Sequence, residues 1–149
     1  MKVCVQGDKK AGKTYYIKKI YKKEVAGLIT RRVKTGVIIC YMENHKILKW
    51  RRCGRIIDCK MTAIKEVFDN FGVEILDKLF KLKDNITVII DEIGFLELVS
   101  PDYCELLKKL FNKKKKIVVA LRNESNELID YYKTHQKASL ITIKNKKIM

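Results

Sequence analysis

The stretch from Val3 to Thr14, reading V-C-V-Q-G-D-K-K-A-G-K-T, constrains this chain more than any other. An apolar run leads into a glycine-bounded loop, and a helical period of apolar residues follows it. The spacing G-x-x-x-x-G-K-T is the phosphate-binding P-loop pattern. Gly7 and Gly12 permit a tight turn and close approach of backbone to an anion. The N–H groups from Gly7, Asp8, Lys9, Lys10, Ala11, Gly12, Lys13, Thr14 and Tyr15, at the loop and the first helical turn, form the expected phosphate cradle. Lys13 adds a full charge near the terminal phosphates, and the Thr14 hydroxyl is a ligand for Mg²⁺. Ile17, Ile20, Tyr21, Glu24 and Val25 share a helical face, so a first helix is predicted from Lys13 to about Glu24, ending before Gly27.

The remaining chain alternates strand and helix signals. Leu28 to Thr35 reads as basic and irregular. Val37 to Met42 is a β-branched strand, Glu43 to Lys46 a turn, Ile47 to Trp50 its hairpin partner, and Arg55 to Asp58 a further short strand. The segment from about 30 to 60 is therefore an antiparallel insertion at the edge of a main sheet. Lys60 to Leu82 reads as helical with an interruption near Gly72, carrying Ile75, Leu76, Leu79 and Phe80 as its apolar stripe. Ile86 to Ile90 is apolar on both faces, as a central parallel strand must be. Ser100-Pro101 starts a helix with Ser as N-cap, burying Tyr103, Leu106, Leu107, Leu110 and Phe111. Ile117 to Leu121 is another buried strand. Ser125 is the expected cap of a helix carrying Leu128, Ile129 and Tyr132, and Leu140 to Ile143 a last strand. This order predicts an α/β fold with a mainly parallel sheet flanked by helices, in one domain over 1–149.

Composition narrows the class. With 149 residues and 47% apolar content the chain can bury a core. No apolar run is long enough to span a membrane, and no signal peptide is read, so the expectation is a cytoplasmic protein. Five cysteines are scattered without a C-x-x-C pair, which suggests neither zinc nor a disulfide framework. The net charge of +16 favours polyanions. Lysines are spread along the whole chain, however, so the charge reads as a background preference and supports weak nucleic-acid binding at most. Lys113 to Lys116 reads as a solvated turn. His45 and His135 have no partner in a recognisable spacing.

Val88-Ile89-Ile90-Asp91-Glu92 is an apolar strand ending in adjacent carboxylates, the Walker B arrangement that sets an Asp beside Mg²⁺ in P-loop proteins. Asp91 is the candidate metal-side carboxylate, and Glu92 the candidate catalytic base beside the γ-phosphate, with Lys13 as its catalytic partner. Asp91 to Gly94 also satisfies D-x-x-G, a GTPase switch. The base-reading loop that a GTPase needs has its nearest match in Asn145, Lys146, Lys147 and Ile148, which lacks the final Asp.

Ile90 to Leu98, I-D-E-I-G-F-L-E-L, resembles the I-D-E-I-G-x-M-E-L signature of a small P-loop nucleoside-triphosphatase family. Gly27 to Thr30 resembles that family's G-F-x-T, Gly36-Val37 its G-F, Cys53 to Asp58 its V-G-x-Y-x-V-D, and Phe71 to Val73 a Phe-Gly-Val element, so the likeness spans nearly the whole chain. The resemblance implies a RecA-like fold and Mg²⁺-dependent hydrolysis of ATP, GTP and other nucleoside triphosphates. Carried over by position, Gly7 to Thr14 bind phosphate, Asp91 handles the metal and Glu92 activates water. The chain departs from the family where Lys9-Lys10 replace Pro-Gly and Tyr15 follows Thr14. Leu121-Arg122 stands where the family has small polar residues, and Arg122 reads as a surface residue or a γ-phosphate sensor. Two other functions compete. A nucleoside, nucleotide or polynucleotide kinase would take a lid from Arg31-Arg32 or Arg51-Arg52. The other is a nucleotide-dependent RNA-binding module; Trp50-Arg51-Arg52 reads either as a base-stacking element or as the aromatic cover of a hairpin tip.

Overall fold

The computed structural model describes residues 1–8 and 10–144; Lys9 and the candidate base-reading loop at 145–148 lie outside the described residues. Eight strands form one sheet in the order β5-β4-β3-β2-β6-β7-β1-β8. They are β1 (Lys2–Gly7), β2 (Val25–Val33), β3 (Gly36–Glu43), β4 (Lys46–Ile57), β5 (Lys60–Ala63), β6 (Thr87–Ile93), β7 (Ile117–Arg122) and β8 (Ala138–Ile143). Strands β2, β6, β7, β1 and β8 are mutually parallel, and β3, β4 and β5 extend the β2 edge as an antiparallel wing. β7 lies between the P-loop strand and the Asp91 strand, the strand order of RecA-like P-loop proteins. The expected sheet and edge insertion are thus present.

The two sheet faces are unequally covered. On one, α3 (Val73–Phe80), α4 (Pro101–Lys113) and α5 (Glu127–Lys133) pack over a large cluster that includes Leu76, Leu79, Leu107, Phe111 and Tyr132. On the other, α1 (Lys13–Ile20) stands alone, and its Ile17 belongs to a smaller cluster with Val3, Val5, Ile29, Cys40 and Ile89. The buried thiols Cys4 and Cys53 are pushed up to about 12 by burial, so neither is a nucleophile near neutral pH.

Several local expectations need correction. α1 stops at Ile20, which is exposed, and Glu24 is exposed too. Val25 does not close a helical face: it opens β2, and the supposed loop from Leu28 is strand. Gly27 does not end a helix but sits inside β2, where a Cβ would lie 1.9 Å from the Ile89 carbonyl oxygen of β6. Lys60 to Ala63 forms β5 across a turn at Asp58-Cys59, both residues with positive φ. Helix begins only at α2 (Lys65–Val67) and runs through a π-helical segment, Phe68–Gly72, into α3 without a break. Gly72 is there for contact, since a Cβ would meet the Tyr103 ring at 2.8 Å. Ser100 caps α4 by accepting from Tyr103 N, as read, but α5 is capped by Asn126, which accepts from Ile129 N. Ser125 instead donates to the Asp130 carboxylate.

Candidate active site

The site forms where β1 and β6 end. Gly7 closes β1 under a steric restriction, because a Cβ there would lie 2.7 Å from the Ile143 carbonyl oxygen of β8. The loop then turns through Lys10 at φ 64° and Gly12 at φ 101°, left-handed values that suit glycine at the second position. Ala11 N donates to Asp8 O at 3.0 Å, and the Asp8 carboxylate accepts from Asn123 Nδ2 at 2.7 Å, tying the loop to the end of β7. Gly12 is the N-cap of α1 and supplies no side-chain acceptor, so the positive end of that helix faces the loop. The Tyr15 side chain points outward at 71% exposed, so its expected place in the cradle rests on its backbone N–H alone.

Lys13 is only 5% exposed and bends back over the loop. Its Nζ donates to Gly7 O at 2.5 Å and Asp8 O at 3.1 Å, and pairs with Glu92 Oε2 at 2.9 Å. Thr14 Oγ1 donates to Asp91 Oδ2 at 2.8 Å. The structure therefore brings Lys13, Thr14, Asp91 and Glu92 together, four residues read from two distant stretches of sequence.

Adjacent strand residues point to opposite faces, yet both carboxylates serve one site. The strand does not end at the carboxylates, since β6 runs on to Ile93. The β6–β7 register instead skips Glu92, pairing Asp91 with Ala120 and Ile93 with Leu121, and this irregularity re-aims the side chain. Thr30 of β2 fixes the Glu92 peptide from both ends, donating to Glu92 O at 2.9 Å and accepting from Glu92 N at 3.3 Å. Arg122 Nε lies 3.7 Å from Glu92 Oε1 and 3.9 Å from Glu124 Oε2, so this arginine belongs to the site and not to the open surface.

Asp91 is buried, and burial, with the Glu92 charge adding to it, holds its carboxyl above the usual carboxylate range against the Thr14 hydrogen bond. It forms no ion pair among the described residues. A buried carboxylate beside a hydroxyl, without an ion-pair partner of its own, is a donor set that suits a hard divalent cation bound by few protein oxygens, as Mg²⁺ is. No cluster of three or more His, Cys, Asp or Glu side chains that could form an all-protein metal cage exists among the described residues.

Beyond Glu92 opens a cavity of about 170 Å³, lined by Thr30, Arg32, Phe95, Glu97 and Arg122 among others. Glu97 is 3% exposed. It accepts from Gly94 N at 3.0 Å, and burial, with a lesser push from Glu92, raises its carboxyl to about 7. Sequence reasoning assigned roles to neither Thr30 nor Glu97, although both lie in the stretches that carried the family resemblance. Asn123 was missed outright, with no signal but its place after a strand.

Comparison with known proteins bears on the family and the fold. The family model NTPase_1, described as NTPase, matches residues 2–149. The nucleoside-triphosphatase THEP1 of Methanocaldococcus jannaschii is 29% identical over 144 residues, covering 87% of this chain and 84% of that protein. The protein of the same name from Thermotoga sp. strain RQ2 is 25% identical over 160 residues, covering 98% and 88%. The crystal structure of THEP1 from Aquifex aeolicus superposes with a TM-score of 0.80 at 23% identity, over 97% of this chain and 90% of that one, a likeness of fold.

Proposed function

Because this chain belongs to the NTPase_1 family of NTPases, we propose that it hydrolyses nucleoside triphosphates, ATP and GTP among them, to diphosphate and phosphate with Mg²⁺. The observation that carries the reading is the four-residue constellation in which Lys13 meets Glu92 while Thr14 meets Asp91. The curated relatives are nucleoside-triphosphatases by name.

The N–H groups of the α1 first turn and Lys13 Nζ hold the β- and γ-phosphates. Thr14 and Asp91 would hold Mg²⁺, which would supply charge neutralisation on the phosphate oxygens. The triphosphate competes with Glu92 for Lys13, and the released Glu92 carboxylate takes a proton from water. The water oxygen bonds to the γ-phosphorus as the bond to the diphosphate oxygen breaks, and the negative charge leaves with the diphosphate. Thr30 keeps Glu92 aimed, and Arg122 balances charge at the γ-position. Three buried free thiols, Cys4, Cys40 and Cys53, fit a reducing compartment such as the cytoplasm.

Glu92→Gln keeps the shape and removes the base. Phosphate release should fall ~10²–10⁴-fold with nucleotide affinity within a few-fold; wild-type turnover would remove Glu92 as base. Lys13→Ala should abolish most of the thermal stabilisation by Mg-ATP, about 2.7 kcal/mol at a hundredfold excess over Kd. One observation favours a second reading, phosphoryl transfer to an organic acceptor: the cavity beside Glu92 holds about 170 Å³, whereas a water's share of volume is about 30 Å³. Full-rate phosphate release without any acceptor would reject it.

A further inference from the structure

The chain's basic residues have two distributions. Lysines are scattered, but five of the six arginines, Arg31, Arg32, Arg51, Arg52 and Arg55, fall between residues 31 and 55. The segment 30–63 holds nine basic residues against two acidic ones, so the antiparallel wing is poor in acid and rich in arginine.

The register shows where these side chains go. Residues opposite one another on antiparallel strands share a face. Cys40 belongs to the cluster under α1, and Trp50 lies opposite it; Ile38 packs against the same cluster, with Arg52 opposite on one side and Arg31 on the other. Arg55 opposes Gly36, two residues before Ile38, and so joins them. Arg51 alternates to the other face, where its guanidinium lies 4.8 Å from the Phe71 ring. The two acidic groups are elsewhere: Glu43 accepts from the Tyr41 hydroxyl on that other face, and Asp58 sits in the β4–β5 turn. α1 is the only helix contributing to this side of the sheet among the described residues, and of β4 only Ile47 packs against its cluster. Trp50 is 54% exposed, and Arg31, Arg52 and Arg55 are exposed around it.

An open β-sheet face with an aromatic ring among arginines and no carboxylate matches the chemistry of unpaired bases on a charged backbone: bases stack on the ring and guanidinium planes, and phosphates neutralise the arginines. A duplex hides its base faces and would use the charge alone. We propose that the α1-side face of the wing, centred on Trp50, Arg52, Arg55 and Arg31, binds a single-stranded polynucleotide.

The test uses the whole chain and a labelled oligouridylate of about 15 nucleotides, within the range such folds cover. Trp50 is the only tryptophan, so its fluorescence reports stacking directly and should be quenched as anisotropy rises. Trp50→Thr, which keeps a β-former, should weaken binding about 10-fold, and Trp50→Tyr should restore most of it. Arg52→Gln/Arg55→Gln should lower affinity and reduce the salt slope by about 1.4. Phosphate release from ATP should be unchanged in these variants. Anisotropy rising without quenching overturns the proposal. So does an equal loss of binding in Lys115→Gln/Lys116→Gln, or equal competition by duplex RNA, either of which would reduce the effect to net charge.

Discussion

The parallel strands and the antiparallel wing share one sheet but use it differently. β6 and β7 are buried along nearly their whole length, while β4, the longest strand, buries only Cys53 and Gly54. The cause is coverage: helices lie over both faces of the former and largely over one face of the latter. The parallel half holds the candidate site, whereas the wing is core at β3, buried at Gly36, Val37 and Ile39 to Met42, and surface at β4 and β5.

The sharpest way to break that contrast is in the core. Ile90 is 1% exposed, and Ile90→Ala should cost about 3 kcal/mol or more by cavity formation, read from urea midpoints; a loss under about 1 kcal/mol would mean the parallel half does not dominate.

Glu97 tests the seam between the halves, since its charge is felt at Cys53 of the wing as well as at Arg122. Its folded carboxyl sits at about 7 against the ordinary 4.5, so the folded state binds the proton more tightly. The stabilising contribution is full below pH 4.5 and is lost as pH rises through about 7, amounting to about 3 kcal/mol. Glu97→Gln keeps an acceptor for Gly94 N and removes the titration. It should match wild type in stability at acid pH and exceed it at pH ~8 by up to that amount. Parallel stability curves for the two proteins would show that Glu97 is not held neutral.

Ser100 is fully buried, caps α4 and donates to Asp69 of the π-helical segment. Ser100→Ala should cost about 1–2 kcal/mol. The smallest effect belongs to the wing: Leu48, 53% exposed on β4, should tolerate Leu48→Thr within about 0.5 kcal/mol. A cost near that of Ile90→Ala would mean the wing has a buried partner in solution.

The same contrast explains what the sequence made legible. Runs apolar on both faces, Ile86 to Ile90 and Ile117 to Leu121, announce central strands because two covered faces leave no room for polar alternation. The P-loop and Asp91-Glu92 were legible because their chemistry fixes their spacing. β2 was not, since it begins buried between β6 and β3 and ends in the exposed pair Arg31-Arg32, so its two halves obey different patterns. The carboxyl of Glu97 and the inward turn of Arg122 depend on neighbours brought from other strands, and no local pattern encodes that.

The two halves also close over different spans of chain. The wing's hairpins turn at Asn44-His45 and Asp58-Cys59, each with two positive φ values, the tight local geometry that lets neighbouring strands zip together quickly. β1 has no such neighbour: Lys2 pairs with Ile117 on one side and Ala138 on the other. The strand that leads into the P-loop should thus pair late, after the loop-closure entropy of the long stretch out to β7 has been met. We expect pulse-labelled amides of Ile38 to Tyr41 to gain protection before those of Val3 to Val5; the reverse order would refute this. A chain lacking β7 and β8 would lack both strands that hold β1 in the sheet, so the assembly of the loop after β1 should wait on sequence at the far end of the fold.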